Sequence, residues 1–322
     1  MDYVDLGRTG LKVSVAGLGC GGNSKLGLGR GKSEVDAVKV VRAAFDMGVN
    51  FFDTAAVYGT EGVVGLAAKE IGRERMVIST KSLIRSGGEL ITPEQLADNL
   101  DTSLRNLRTD VADVYNLHAV APADYDYARR ELAPVLVQAK AAGKIRHIAI
   151  TETSPRDPDQ KMLQVALKDP VWEVAMLAFH MMHQGARENV FPLSRATGVG
   201  TMLMFVVRNI FSQPDVLRDN IKALAAKGEV PAELTLDAEP LGFLVHEAGA
   251  ESILDAAYRY ARHEPGADVV LFGTSDVVHL KDNIASILRP PLPEADRERL
   301  RELFGRLSGV GLDLPGPPSR GP

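Results

Sequence analysis

The sequence predicts a single α/β domain, a (β/α)8 TIM barrel with an N-terminal β-hairpin closing the barrel floor. Three observations predict it. Eight short apolar or β-branched runs recur along the 322 residues, amphipathic segments with helical spacing separate them, and a strand–turn–strand pattern precedes the first. Apolar strands alternating with amphipathic helices argue for a parallel sheet covered by helices, and eight such units suggest a closed barrel. Length alone would allow two domains, but α/β barrels commonly exceed about 250 residues as one unit.

The hairpin is read from residues 3–6, the turn Arg8-Thr9-Gly10 and residues 11–15. The eight runs are 13–19, 49–53, 76–80, 111–117, 145–151, 172–179, 201–207 and 268–273. Residues 33–47 place Val38, Val41, Ala44 and Phe45 on one helical face, with Ser33 as N-cap. In 92–107, Thr92 caps, Pro93 takes the first helical position, Gln95 completes a capping box and Leu96, Leu100, Leu104 and Leu107 form the buried stripe. Residues 128–142 stop at Gly143. The longest interruption, about 208–250, carries prolines and polar clusters and reads as a long loop. A Gly- and Pro-rich tail, about 308–322, reads as an irregular wrap within the same 1–322 domain.

Composition excludes several classes of function. A net charge of −5 with scattered Lys and Arg gives no footprint for nucleic acid or an anionic membrane. No apolar stretch reaches a spanning length and no secretory signal is visible, so a cytoplasmic protein is expected. Cys20 is the only cysteine, so no intrachain disulfide can form, and it reads as a buried small residue. His180 and His183 are three apart, but no third ligand has a metal-site spacing, so no metal is expected. Trp172 opens the sixth run, at the end away from the chemistry, and reads as packing. Oligomeric state is not readable.

Gly17, Gly19 and Gly22 satisfy G-x-G-x-x-G after a strand, yet the context of a Rossmann site fails. That motif opens a helix directly and places an acid about 20 residues on. Here the helix begins near Ser33 and Asp53 comes 31 residues after Gly22. These glycines are expected to let backbone pass close to a ligand above the first strand.

Catalytic groups of an α/β barrel lie at the C-terminal strand ends. Those positions hold Asp53, Lys81 and His118, with Tyr58 in the loop after Asp53. Four titratable groups of four types on one rim suit carbonyl reduction. Hydride arriving at carbon leaves charge on oxygen, which needs a proton donor and stabilising dipoles. A lysine ammonium about 4 Å from a phenol, at an effective dielectric near 20, contributes on the order of 4 kcal/mol to the phenolate, about 3 pKa units. Asp53 would hold Lys81 charged, and His118 would donate to or orient the substrate oxygen.

The segments NFFDTAAVYG (50–59), STK (79–81), NLH (116–118), GKIRHIAIT (143–151) and LFGTSDVVHLKDN (271–283) resemble the aldo-keto reductase superfamily, over nearly the whole chain. The resemblance implies an NAD(P)(H)-dependent oxidoreductase acting on a small aldehyde, ketone, sugar or secondary alcohol. It implies Tyr58 as general acid, supported by Asp53, Lys81 and His118, and NADP(H) or NAD(H) extended across the rim near Gly21 and Gly22. Phe179 resembles the aromatic stacking on nicotinamide. Thr151 and Glu152 occupy the positions of a Ser-Asn carboxamide pair, with Glu departing from Asn, and Met176 replaces a Gln. Gly273, Thr274 and Ser275 resemble the phosphate turn, and Asn283 the adenine contact. Members preferring NADPH present Arg or Lys near this turn, whereas this chain has Asp276 and His279, so NAD(H) is expected to be tolerated or preferred. The other class considered is a nicotinamide-binding regulatory subunit, as in the potassium-channel β subunits of this superfamily. The four catalytic residue types and the lack of a long N-terminal extension favour an enzyme.

Overall fold

The computed structural model describes residues 1–312. Strands β1 (Tyr3–Asp5) and β2 (Lys12–Ser14) form an antiparallel hairpin. The barrel then begins with β3 (Ala16–Gly19), β4 (Phe51–Asp53) and β5 (Val77–Leu83). A two-strand ribbon, β6 (Arg85–Ser86) and β7 (Glu89–Leu90), rises from the loop after β5. The remaining barrel strands are β8 (Ala112–Val120), β9 (Ile145–Glu152), β10 (Val174–Ala178), β11 (Gly200–Met204) and β12 (Val269–Phe272). Pairing of β12 with β3, Val270 beside Ala16, closes eight parallel strands into a barrel. All eight sequence runs therefore hold a barrel strand.

Side chains alternate across each strand, and the two faces have separate apolar clusters. Phe51, Val114, Ala149, Val174, Met176, Met202 and Val269 fill the barrel interior, capped from below by Leu6 and Val13 of the hairpin. The opposite faces pack on the helices, in a larger cluster that includes Phe52, Ile78, Tyr115, Ile150, Leu177 and Phe272. The Arg8 guanidinium ties the hairpin to the floor by donating to the carbonyls of Pro170 (3.0 Å), Trp172 (3.1 Å) and Thr197. Trp172 is buried there and donates to the Tyr125 hydroxyl.

The helices follow their local signals. Ser33 caps Glu34–Asp46 by accepting from the Asp36 amide. Thr92 and Gln95 form both bonds of the capping box at Pro93–Leu107, which buries the expected leucines. A π-turn at Ala128–Leu132 leads into Ala133–Ala141, ahead of Gly143.

Two expectations are corrected. Residues 208–250 are not one loop: they contain helices Asn209–Ser212 and Pro214–Ala226, then 3-10 turns Ala232–Thr235 and Gly242–Leu244. Pro214 starts the longer helix at a first-turn position where its missing N–H costs nothing. Leu217, Ile221 and Leu224 then give that helix a buried stripe. The seventh barrel strand ends at Met204 rather than 207, because Phe205 turns to φ 65°. Of the tail, only 308–312 are described, and they form a turn after helix Glu294–Phe304; the rest of the expected wrap lies outside the described residues. Among the described residues no helix is long and apolar enough to cross a membrane.

The floor plug gives a direct test. Leu6 is fully buried beneath the barrel. Leu6→Ala is expected to lower unfolding free energy by about 2–5 kcal/mol in urea titrations. The opposite rim should keep its kinetic constants. A loss below about 0.5 kcal/mol would show that the plug does not hold the floor.

Candidate active site

Strand parity builds the site. Phe51 faces the barrel interior, so Asp53 two residues on does the same at the top of β4. On β8, interior Val114 places Asn116 and then His118 on the inward face. In register across the strands, Asp53 pairs with Ser79, Lys81 with Asn116 and Leu83 with His118. The interior thus changes from an apolar lower layer to a polar upper one.

Lys81 is fully buried. Its Nζ donates to both Asp53 oxygens, each at 2.6 Å, and to the Thr54 carbonyl at 2.9 Å. Ser79 Oγ donates to Asp53 Oδ1 at 2.9 Å, and Asn116 Nδ2 donates to Ser79 Oγ at 3.1 Å. Tyr58 ends the 3-10 turn Ala56–Tyr58 after β4, where Gly59 reverses the chain. Its ring lies 5.2 Å from Lys81 Nζ, measured to the centroid, and edge-on to His118 at 5.8 Å and 90°. Gly21 makes room for it: a Cβ there would stand 2.6 Å from the tyrosine ring. The three residues named from strand ends and Tyr58 from the loop therefore gather on one rim.

Their electrostatics differ from the sequence expectation in one respect. Burial is the largest effect and opposes the Lys81 charge, but the charge and hydrogen bond of Asp53, with Tyr58 and Cys20 adding, together hold the ammonium above its ordinary pKa. Burial likewise raises the Tyr58 phenol; Lys81 pulls it down, while Asp53 and the Cys20 thiol push it up. Burial and the two anionic neighbours together outweigh the ammonium, so the expected acidification is absent and Tyr58 is a neutral phenol. Burial, with Lys81 nearby, depresses His118 to about 3, so its ring is neutral near pH 7. His118 Nδ1 is buried with no partner among the described residues. Cys20 is buried at the top of β3, and burial first, then Asp53, raises its thiol.

The residues named for the cofactor divide into two groups. Gly22, Gly273, Asp276 and His279 are exposed, Gly21 and Asn283 are half-buried, and Thr274 and Ser275 lie in the turn after β12. Asp276 caps helix Val277–Leu288, accepting from the Val278 (2.7 Å) and His279 (3.4 Å) amides. The other three are committed to the interior. Thr151 is buried and directs its hydroxyl to Asn116 Oδ1 at 3.4 Å. Glu152 is buried and accepts from the Ala178 amide (2.7 Å) and Ser154 Oγ (2.9 Å). Phe179 is buried on the helical side of the sheet, stacked on Tyr260 at 5.7 Å and edge-on to Phe191 at 5.2 Å. Its parity turns it away from the rim, which removes it as a nicotinamide platform.

The aromatic that does reach the rim is Phe205, half-buried just after β11, with the Arg208 guanidinium 4.3 Å over its ring. An aromatic directly after the seventh strand was the available signal, hidden because the run 201–207 read as continuous strand. His180 and His183 are both buried, and each Nδ1 accepts a backbone amide, from Met182 (3.2 Å) and Gly309 (3.3 Å). An accepting Nδ1 leaves the proton of the neutral ring on Nε2, and a protonated nitrogen cannot ligate a metal.

A family model described as the aldo/keto reductase family matches residues 17–304. The chain belongs to the aldo/keto reductase family. As a member it is an oxidoreductase, and membership implies NAD(P)H-dependent carbonyl reduction. The reductase is 28% identical over 312 residues to an L-galactose dehydrogenase of Arabidopsis thaliana, covering 95% of this chain and 94% of that one. It is 34% identical over 167 residues to a 6-dehydroglucose reductase of Novosphingobium aromaticivorans, covering 46% and 51%. In fold it resembles the holo form of aldo-keto reductase AKR11C1 from Bacillus halodurans, with TM-score 0.71, 22% identity and coverage of 94% and 96%.

Glu152 carries a pH prediction. Burial, with nearby Asp157 adding, pushes its carboxyl up to about 8 against the amide and hydroxyl bonds, from an ordinary 4.5. The folded protein holds a proton that the unfolded chain releases, so this stabilisation is full below pH 4.5 and fades as pH rises to about 8. Glu152→Gln, neutral at every pH, should gain stability relative to the native protein between pH 5 and pH 8 in urea titrations. A constant difference between the two across that range would overturn the neutral acid.

Proposed function

We propose that this reductase transfers hydride between a nicotinamide dinucleotide and a small aldehyde, ketone or sugar, with Tyr58 as the acid. One observation carries the reading: the Tyr58 ring, the neutral His118 ring and the Asp53-bound Lys81 ammonium meet at the catalytic rim of the barrel. The donor set suits a dinucleotide, since the orphaned His118 Nδ1 and the Gly273-Thr274-Ser275 turn, with Gly273 exposed, lie along that rim.

The bound nicotinamide supplies the hydride. Each other task belongs to the chain. Tyr58, raised and neutral, holds its proton at the hydroxyl until negative charge develops on the substrate oxygen, then donates it. A ready acid of this kind suits reduction at neutral pH better than oxidation, which would need the phenolate first. Lys81 stabilises the phenolate left behind, and Asp53 holds Lys81 in place. His118, uncharged, orients the carbonyl without competing for the proton. Phe205, in place of Phe179, would hold the nicotinamide end, and Gly21, Gly22, Gly273, Thr274, Ser275 and Asn283 would hold the rest of the dinucleotide. Exposed Val57 and Leu83 give the substrate mouth an apolar edge. The two relatives named for L-galactose and 6-dehydroglucose make sugars the first substrates to try.

We also infer that NAD(H) is accepted. The Asp276 carboxylate at the phosphate turn repels a 2′-phosphate but not a ribose hydroxyl. NADH should therefore support turnover within a hundredfold of NADPH in kcat/KM; a larger preference for NADPH would reject it. Tyr58→Phe should lower kcat at least a hundredfold at 340 nm with little change in cofactor Kd, the usual contribution of one general acid being about 10²–10⁴. Near-normal turnover in that variant would remove Tyr58 from the chemistry.

A further inference from the structure

The turn after β12 contains no cation of its own: Gly273-Thr274-Ser275-Asp276 offers hydroxyls, backbone and one carboxylate. Its positive charge arrives from the other end of the sequence. Lys32, 243 positions earlier, donates from Nζ to the Ser275 carbonyl at 2.7 Å. Building on the dinucleotide reading above, we propose that Lys32 is the residue that admits the 2′-phosphate of NADP(H).

The backbone places this lysine deliberately. After β3 the chain winds through a 3-10 segment, Lys25–Arg30, in which Leu26 (φ 59°) and Gly27 (φ 105°) leave helical geometry. The Lys32 amide donates to the Gly27 carbonyl at 3.0 Å. The lysine stem then crosses Gly27, where an added Cβ would stand 2.7 Å from Cδ and 3.0 Å from Cβ of Lys32. A bare glycine with positive φ is what lets the stem lie there. Ser33 follows at once and caps helix Glu34–Asp46, which fixes the far side of the residue.

The charge balance fits a phosphate acceptor. An ammonium has three N–H donors, and among the described residues Lys32 uses one of them. The ionisable neighbours at the turn are Asp276 and His279. Asp276 accepts both the Val278 and His279 amides on Oδ1; those bonds lower its pKa, with His279 and Lys32 adding to the effect. Its charge is thus fixed, and without Lys32 the turn would be anionic and closed to a phosphate dianion. With Lys32 the pair is neutral, which tolerates a ribose hydroxyl and still provides a donor for a 2′-phosphate. The two residues explain how one turn serves both dinucleotides.

Isothermal titration of the full chain with NADP+ and NAD+ tests this, with 2′,5′-ADP and 5′-AMP as the matching fragments. Lys32→Met should weaken NADP+ and 2′,5′-ADP by about 10- to 100-fold, the usual range for a hydrogen bond to a charged group. NAD+ and 5′-AMP should stay within about twofold. Lys32→Arg should retain NADP+ within about threefold. Added salt should weaken NADP+ more than NAD+ in the native protein only. Equal weakening of both nucleotides in Lys32→Met, or of neither, overturns the assignment. Native protein that binds NAD+ but not NADP+ also overturns it, whereas failure to bind either nucleotide would instead reject the dinucleotide reading itself.

Discussion

The buried pair of Lys81 and Asp53 is the constraint on which the rest of the rim depends. Two charges taken out of water cost several kcal/mol each unless their geometry is close and their remaining bonds are met. Here both carboxylate oxygens receive the ammonium, Thr54 supplies a carbonyl, and Ser79 supplies a hydroxyl that Asn116 in turn holds. Removing either partner would strand the other, at roughly 3–5 kcal/mol. The network joins β4, β5 and β8, so the chemistry and the top of the barrel are one structure. It also sets the charge that Tyr58 experiences: a nearly neutral couple, which leaves burial to decide the phenol's proton.

In the mechanism proposed above, that balance changes how Tyr58, Lys81, Asp53 and His118 would work together. A lone ammonium beside a phenol would keep it partly ionised and equally ready for either direction. An ammonium already matched by a carboxylate leaves the phenol protonated and responds only when the proton departs, so its stabilising effect appears late, as charge forms. Interactions stronger at that point than in the resting site are the ones that accelerate a reaction. The neutral His118 follows the same logic.

Much of this was legible because it depended on periods the sequence displays. The eight strands, the Thr92–Gln95 capping box and the leucine stripe of Pro93–Leu107 are local patterns with local causes. Asp53, Lys81 and His118 are legible because Asp53 ends its strand and the other two lie within two residues of a strand end, and a barrel brings strand ends together. What failed was orientation and distance. Phe179 looked like a rim aromatic until the parity set by Met176 turned it toward the helices. Phe205 was hidden because nothing in its letters announces a left-handed backbone. The helix Pro214–Ala226 reads as loop in the sequence because its proline and polar residues mask a start at Pro214. Lys32 could not be placed at Ser275, since no spacing rule links residues 243 apart.

The pairing of β12 with β3 has a consequence for how the molecule is made. The first barrel strand finds one of its two neighbours only in residues 269–272, so the ring cannot shut until nearly all of the chain has left the ribosome. At about 5–20 residues per second, the earliest apolar residues wait many seconds for a roof. Leu6 and Val13, which end as the plug under the closed cylinder, spend that interval facing water as sticky ends of an open sheet. Biogenesis of this enzyme is therefore a problem of holding a nascent half-barrel apart from its neighbours on the polysome until its last strand arrives.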